Sequence, residues 1–108
     1  MSEAYDRGKL VELFGDDPGT LSEVEREFLE TARSVEREIS TTENLLAIAR
    51  AAHRLKGAAG VIGAVPLHAL AKSVEIAAKA SDLKTVRGLS PEMRREVERV
   101  AAQVAAHA

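Results

Sequence analysis

Leu45, Ile48, Ala52, Leu55, Ala59 and Ile62 follow one another at alternating spacings of three and four residues. That is the period of one buried helix face. Similar stripes run through Leu21, Val24, Phe28, Val35 and Ile39, through Leu67, Leu70, Ala71, Val74 and Ala78, and through Met93, Val97, Val100 and Val104. No stretch alternates apolar and polar residues with the period of a strand. Aromatic residues number only three, Tyr5, Phe14 and Phe28, so the core must be built from Leu, Val, Ile and Ala. A core of that kind suits packed helices. The chain of 108 residues is expected to form one domain, 1–108.

Punctuation between the stripes divides the chain. Asp6 suits the N-cap of a short helix over about 7–14, with Gly15 as its stop. Asp16-Asp17-Pro18-Gly19 reads as a turn, and Thr20-Leu21-Ser22-Glu23 as a capping box opening a helix over about 20–39. Ser40-Thr41-Thr42 breaks that run and caps a helix over about 43–61. Gly63-Ala64-Val65-Pro66 is a tight connection, and Pro66 suits the first turn of a helix over about 66–80. Residues 81–89 are expected to be a loop, with Ser90-Pro91-Glu92 opening the last helix over about 91–106. Four long helices with short connections predict an all-α, antiparallel up-down four-helix bundle, capped by the short N-terminal helix.

One face of the central helix is unlike the rest. His53 lies about 130° from the centre of the buried stripe, and Gly57, Gly60 and Ala64 fall within about 40° of it. Lys56 stands one turn on, at the flank. A glycine costs about 1 kcal/mol relative to alanine inside a helix. The chain uses alanine freely here, at Ala51, Ala52, Ala58 and Ala59, so the glycines need a reason. Close packing of a neighbouring helix, or a helix end, explains Gly63 and serves fairly for Gly60. It serves poorly for Gly57, opposite the core stripe, where a visiting molecule is the better reason.

Folding the third and fourth helices as a hairpin near Ala64 sets level those residues whose numbers sum to about 128. His53 then meets Glu75, and Lys56 meets Lys72. A nucleophilic imidazole must be neutral with one nitrogen free of its proton, and an ordinary histidine satisfies that near neutral pH. Glu75 suits an acceptor for Nδ1–H, leaving Nε2 to attack. Lys56 and Lys72 would set two ammonium groups beside that imidazole.

His53-Arg54-Leu55-Lys56-Gly57, followed by Gly63 and by Leu67, Leu70, Val74 and Glu75, resembles the histidine phosphotransfer (HPt) family over about residues 6–106. Gly15-Asp16-Asp17 is similar to bacterial members. The resemblance implies a bundle that accepts a phosphoryl group on His53 and exchanges it with an aspartate of a response-regulator receiver domain. A sensor or hybrid histidine kinase is a further possible partner. It also implies no cofactor of the protein's own, Mg²⁺ being expected in the receiver, and a phosphorelay intermediate rather than a stand-alone enzyme. Gly57, Gly60, Lys72 and Leu46 are candidates for contact with that receiver. Leu46 lies about 20° from His53 on the wheel, two turns earlier. The alternative for Leu46 is partial burial under the first helix. The alternative for the whole chain is a helical adaptor that binds a receiver or kinase without being phosphorylated.

Other chemistries are poorly served. There is no cysteine, which excludes thiolate chemistry and disulfides and is compatible with a reducing compartment. His53, His68 and His107 show no paired metal-ligand spacing. No Ser nucleophile has a plausible base, and no GxxxxGK[ST] loop or kinase signature binds nucleotide. The N-terminal residues lack the apolar core of a signal peptide, and the uncharged run between Lys56 and Lys72 is too short to span a membrane. The expectation is a cytoplasmic protein. Residues 1–49 carry 12 acids and 5 bases, and residues 50–108 carry 5 acids and 10 bases. The half that holds His53 is basic, which suits an acidic protein partner. The bases are dispersed and lack aromatic stacking residues, which argues against nucleic acid.

Overall fold

The computed structural model describes residues 3–107. They form α1 (Arg7–Phe14), α2 (Pro18–Thr41), α3 (Leu45–Val61), α4 (Val65–Lys79) and α5 (Leu83–Ala106), with no strand among the described residues. Connections of three residues join α2 to α3, α3 to α4 and α4 to α5. Each helix therefore returns antiparallel to the one before. α2 packs on α3, α3 on α4, α4 on α5, and α5 closes the ring on α2. The apolar stripes meet along the axis: Phe28, Val35 and Ile39 of α2, Ile48 and Leu55 of α3, Leu67 and Val74 of α4, and Met93, Val97 and Val100 of α5 are all buried.

The last helix starts a full two turns before the expected position. Asp82 caps it, its carboxylate accepting from Thr85 N at 3.0 Å and from Thr85 Oγ1 at 2.6 Å. Pro91 lies inside the helix rather than at its first turn. Proline removes one helical N–H. Pro91 is exposed, so the break falls on the water-facing side. Ser90, expected as the cap, is instead buried and donates its hydroxyl to Val86 O at 3.1 Å. The core stripe in truth reads Leu83, Val86, Ser90, Met93, Val97, Val100, with a serine on the buried face of the helix.

Two further caps differ from expectation. Asp17, not Thr20, caps α2, accepting from both Thr20 N and Thr20 Oγ1 at 2.9 Å, with Pro18 in the first turn. Asn44, not the Ser40–Thr42 run, caps α3 by accepting from Ala47 N at 3.1 Å. The last turn of α2 is closed from α5: the Arg87 guanidinium donates to Ile39 O and Thr42 O, both at 2.6 Å. Helix C-termini leave carbonyls without intrahelical donors, and a fork of N–H groups satisfies two at once.

α1, capped by Asp6 as the sequence suggests, is fastened to the end of α3. Asp6 N donates to Ile62 O at 3.1 Å, and Lys9 Nζ donates to Gly60 O at 3.0 Å. Gly63 has φ +68°, and a Cβ there would come within 2.8 Å of Asp6 Cβ. Only glycine allows both that turn and that approach. The residues before α1 run to the bundle's other termini. Gln103 holds them by accepting from Ala4 N at 2.8 Å and donating to Tyr5 O at 3.0 Å.

Candidate functional site

The α3–α4 hairpin sets His53 opposite Glu75, as the register argument expects. His53 Nδ1 lies 2.8 Å from Glu75 Oε2. Lys56 Nζ donates to Glu75 Oε1 at 2.7 Å, and Lys79 Nζ lies 3.3 Å from Glu75 Oε2. The carboxylate is buried between the helices, whereas the His53 side chain is 68 % exposed. A buried carboxylate needs compensating partners. Here a histidine and two ammonium groups supply them.

The electrostatics fix the protonation pattern. The Lys56 ammonium, helped by Lys79 and His53, outweighs burial and holds the Glu75 carboxyl down at about 2. Glu75 is thus ionised at any physiological pH and can only accept hydrogen bonds. His53 Nδ1 must then carry the proton, and in the neutral ring Nε2 keeps its lone pair. Among the described residues Nε2 has no hydrogen-bond partner. The site holds an exposed imidazole in one tautomer, with the unprotonated nitrogen turned away from its anchor.

The surroundings of that nitrogen are open. A Cβ on Gly57 would meet nothing within 4 Å, as expected for a glycine on the free face. A groove of about 350 Å³ beside the ring is lined by Leu46, Ala49, Arg50, His53, Glu75 and Lys79. Leu46 is exposed within it and does not lie under α1, which packs at the other end of α3. Ile76 of α4 is also exposed.

Two expectations need correction. Lys72, expected beside Lys56 as the second ammonium of the site, is exposed; the second ammonium at the Glu75 carboxylate is Lys79. One turn along α4 from Glu75, at the i,i+4 spacing that joins a carboxylate to a lysine, Lys79 was visible in the sequence. Gly60 is not part of the open face. His68 packs over it, its Nδ1 3.5 Å from where a Cβ would stand, and its carbonyl is taken by Lys9.

A family model described as the Hpt domain matches residues 12–103. The chain belongs to the Hpt domain family. The match runs from within α1 to the last turns of α5 and takes in the whole His53–Glu75 site. Hpt domains are histidine phosphotransfer intermediates of phosphorelays, without an ATP site of their own. No curated protein and no solved structure matches this Hpt chain. Among its described residues no helix is long and apolar enough to cross a membrane.

Proposed function

We propose that His53 is the phosphoacceptor of this Hpt domain and that it exchanges the phosphoryl group with an aspartate of a response-regulator receiver. The observation that carries this reading is an exposed imidazole bonded through Nδ1 to a buried, ionised carboxylate. Nε2 attacks the phosphorus of the aspartyl phosphate, the P–O bond to the aspartate breaks, and the aspartate leaves as a carboxylate. The positive charge that develops on the ring lies against Glu75. Orienting and charge-stabilising groups of this kind supply most of the catalysis in phosphoryl transfer. Lys56 and Lys79 hold Glu75 in place beneath the ring that receives the phosphoryl group.

The receiver supplies the aspartate and its Mg²⁺; the chain needs no cofactor of its own for this step. Gly57 leaves room for the receiver to approach, and Leu46 gives it an apolar contact two turns from His53. Arg50 and Lys79, which line the groove, favour an acidic partner surface. The protein acts as a relay intermediate in the cytoplasm rather than as an enzyme with turnover of its own, with a histidine kinase as a second possible partner. The test is incubation of the protein with phosphorylated receivers from its source organism. Acid-labile, base-stable phosphate on the wild type, and none on a folded His53→Gln variant, is the expected result. No label with any receiver would leave a helical adaptor as the better account.

A further inference from the structure

We propose that His68 is a positioning residue for this phosphotransfer, acting through Lys56 to keep Glu75 under His53. The inference rests on His53 being the phosphoacceptor. His68 Nδ1 lies 2.9 Å from the carbonyl oxygen of Lys56. A carbonyl only accepts, so Nδ1–H donates, and it does so whether the ring is neutral or protonated. The ammonium of the same Lys56 donates to Glu75 at 2.7 Å. α4 therefore holds one residue of α3 at both ends: the backbone by His68, the side chain by Glu75. His68 and Glu75 are seven residues apart, two turns along one face of α4.

The packing explains why such a clamp matters. Small side chains make up part of the core that α3 and α4 share, with Ala52 and Ala59 buried on one helix and Ala71 and Ala78 on the other. Small side chains interlock shallowly, so packing alone resists axial slip weakly. Polar groups at an interface fix register. The His68 ring lies directly over Gly60, with Nδ1 3.5 Å and Cε1 3.7 Å from where a Cβ would stand. Without the clamp, α4 is free to shift against α3, and the contacts of 2.7 and 2.8 Å at Glu75 lengthen first. His53 then loses its fixed tautomer.

Three full-length variants separate positioning from mere stability. His68→Asn keeps an N–H donor at the place of Nδ1. His68→Gln moves the amide out to the place of Nε2. His68→Leu keeps bulk without a donor. Long-range ¹H–¹⁵N NMR reads the His53 tautomer, and phosphoramidate, a small phosphoryl donor that needs no docking surface, reads His53 reactivity. The wild type and His68→Asn should show the Nδ1–H tautomer and similar labelling rates. His68→Gln and His68→Leu should show mixed tautomers and labelling slowed roughly tenfold, within the cost of a misplaced reacting group. If His68→Leu does not fold, the Asn and Gln pair still decides. A pure Nδ1–H tautomer in His68→Gln, or failure of His68→Asn to restore it, overturns the inference. If even the wild type takes no phosphate, the phosphotransfer reading has failed, while the tautomer comparison still tests the clamp.

Discussion

Two buried glutamates in this bundle each hold a histidine through Nδ1, and only one of the pairs is open to a partner. Glu75 holds His53 at 2.8 Å, and Glu25 holds His107 at 3.2 Å. At Glu75 the other partners are two lysine ammonium groups reaching in from the surface. At Glu25 they are the Tyr5 hydroxyl, which donates to Oε2, and Arg7, whose Nε lies 3.6 Å from Oε1. Burial, with the hydrogen bond to Glu25 behind it, keeps the Tyr5 hydroxyl from ionising anywhere near neutral pH. The His53 side chain is 68 % exposed and that of His107 only 28 %. A glycine clears the approach to His53, whereas Gln103 straps residues 4 and 5 down beside His107. The carboxylate–imidazole pair is thus common to an enclosed cluster and to an open one. Access makes the difference.

Breaking each pair should give opposite phenotypes. Glu25→Ala leaves the buried Tyr5 hydroxyl and His107 without their acceptor, and Arg7 without its counter-charge. Removing one member of a buried polar network costs about 3 kcal/mol. Urea unfolding should show a loss of that order, with labelling of the folded variant unchanged. A midpoint equal to the wild type's would mean that the Glu25 cluster fastens nothing.

Glu75→Ala should instead spare most of the stability, because His53 and Lys79 are exposed enough to rehydrate. Phosphate uptake from a receiver should fall on the order of 10²-fold, the scale of a reacting group out of place. Undiminished uptake would remove Glu75 from the mechanism.

Acid sharpens the same contrast. The Glu75 carboxyl is held at about 2 in the folded protein against 4.5 for an unperturbed one. A folded value below the unfolded one means that the ionised form favours folding. That contribution is complete above pH 4.5 and is lost as the pH falls from 4.5 towards 2. The stability difference between wild type and Glu75→Gln should shrink over that window. A difference constant down to pH 2.5 would contradict the ion-pair geometry.

The smallest effect concerns the opening over His53. Gly57→Gln should raise stability by up to about 1 kcal/mol, since glycine is the poorer helix former and the site is empty. The same change should slow transfer, because a long side chain at 57 tilts back over the imidazole. A lowered melting temperature would mean that Gly57 is kept for packing instead.

The open pair was legible in the sequence, and the closed one was not. His53 and Glu75 lie 22 residues apart on two helices joined by a short turn, so counting along the hairpin was enough to bring them level. Gly57 stood out because alanine surrounds it. The Glu25 cluster joins residues 82 apart, from the two ends of the chain, and no local spacing encodes that meeting. Pro91 misled because Ser-Pro-Glu imitates a helix start; the tertiary pull of Leu83 and Val86 into the core extended the helix back through it. Lys79 was missed for a different reason. The hairpin register compares helices, whereas Lys79 reaches Glu75 along its own.

Phosphorus-to-nitrogen NMR on the labelled wild type, with mass-spectrometric mapping of the modified residue, tests the claim that access selects between the two pairs. The account predicts phosphorus bonded to Nε2 of His53, and no phosphate on His107. Phosphate on His107, or on Nδ1 of His53, would contradict it.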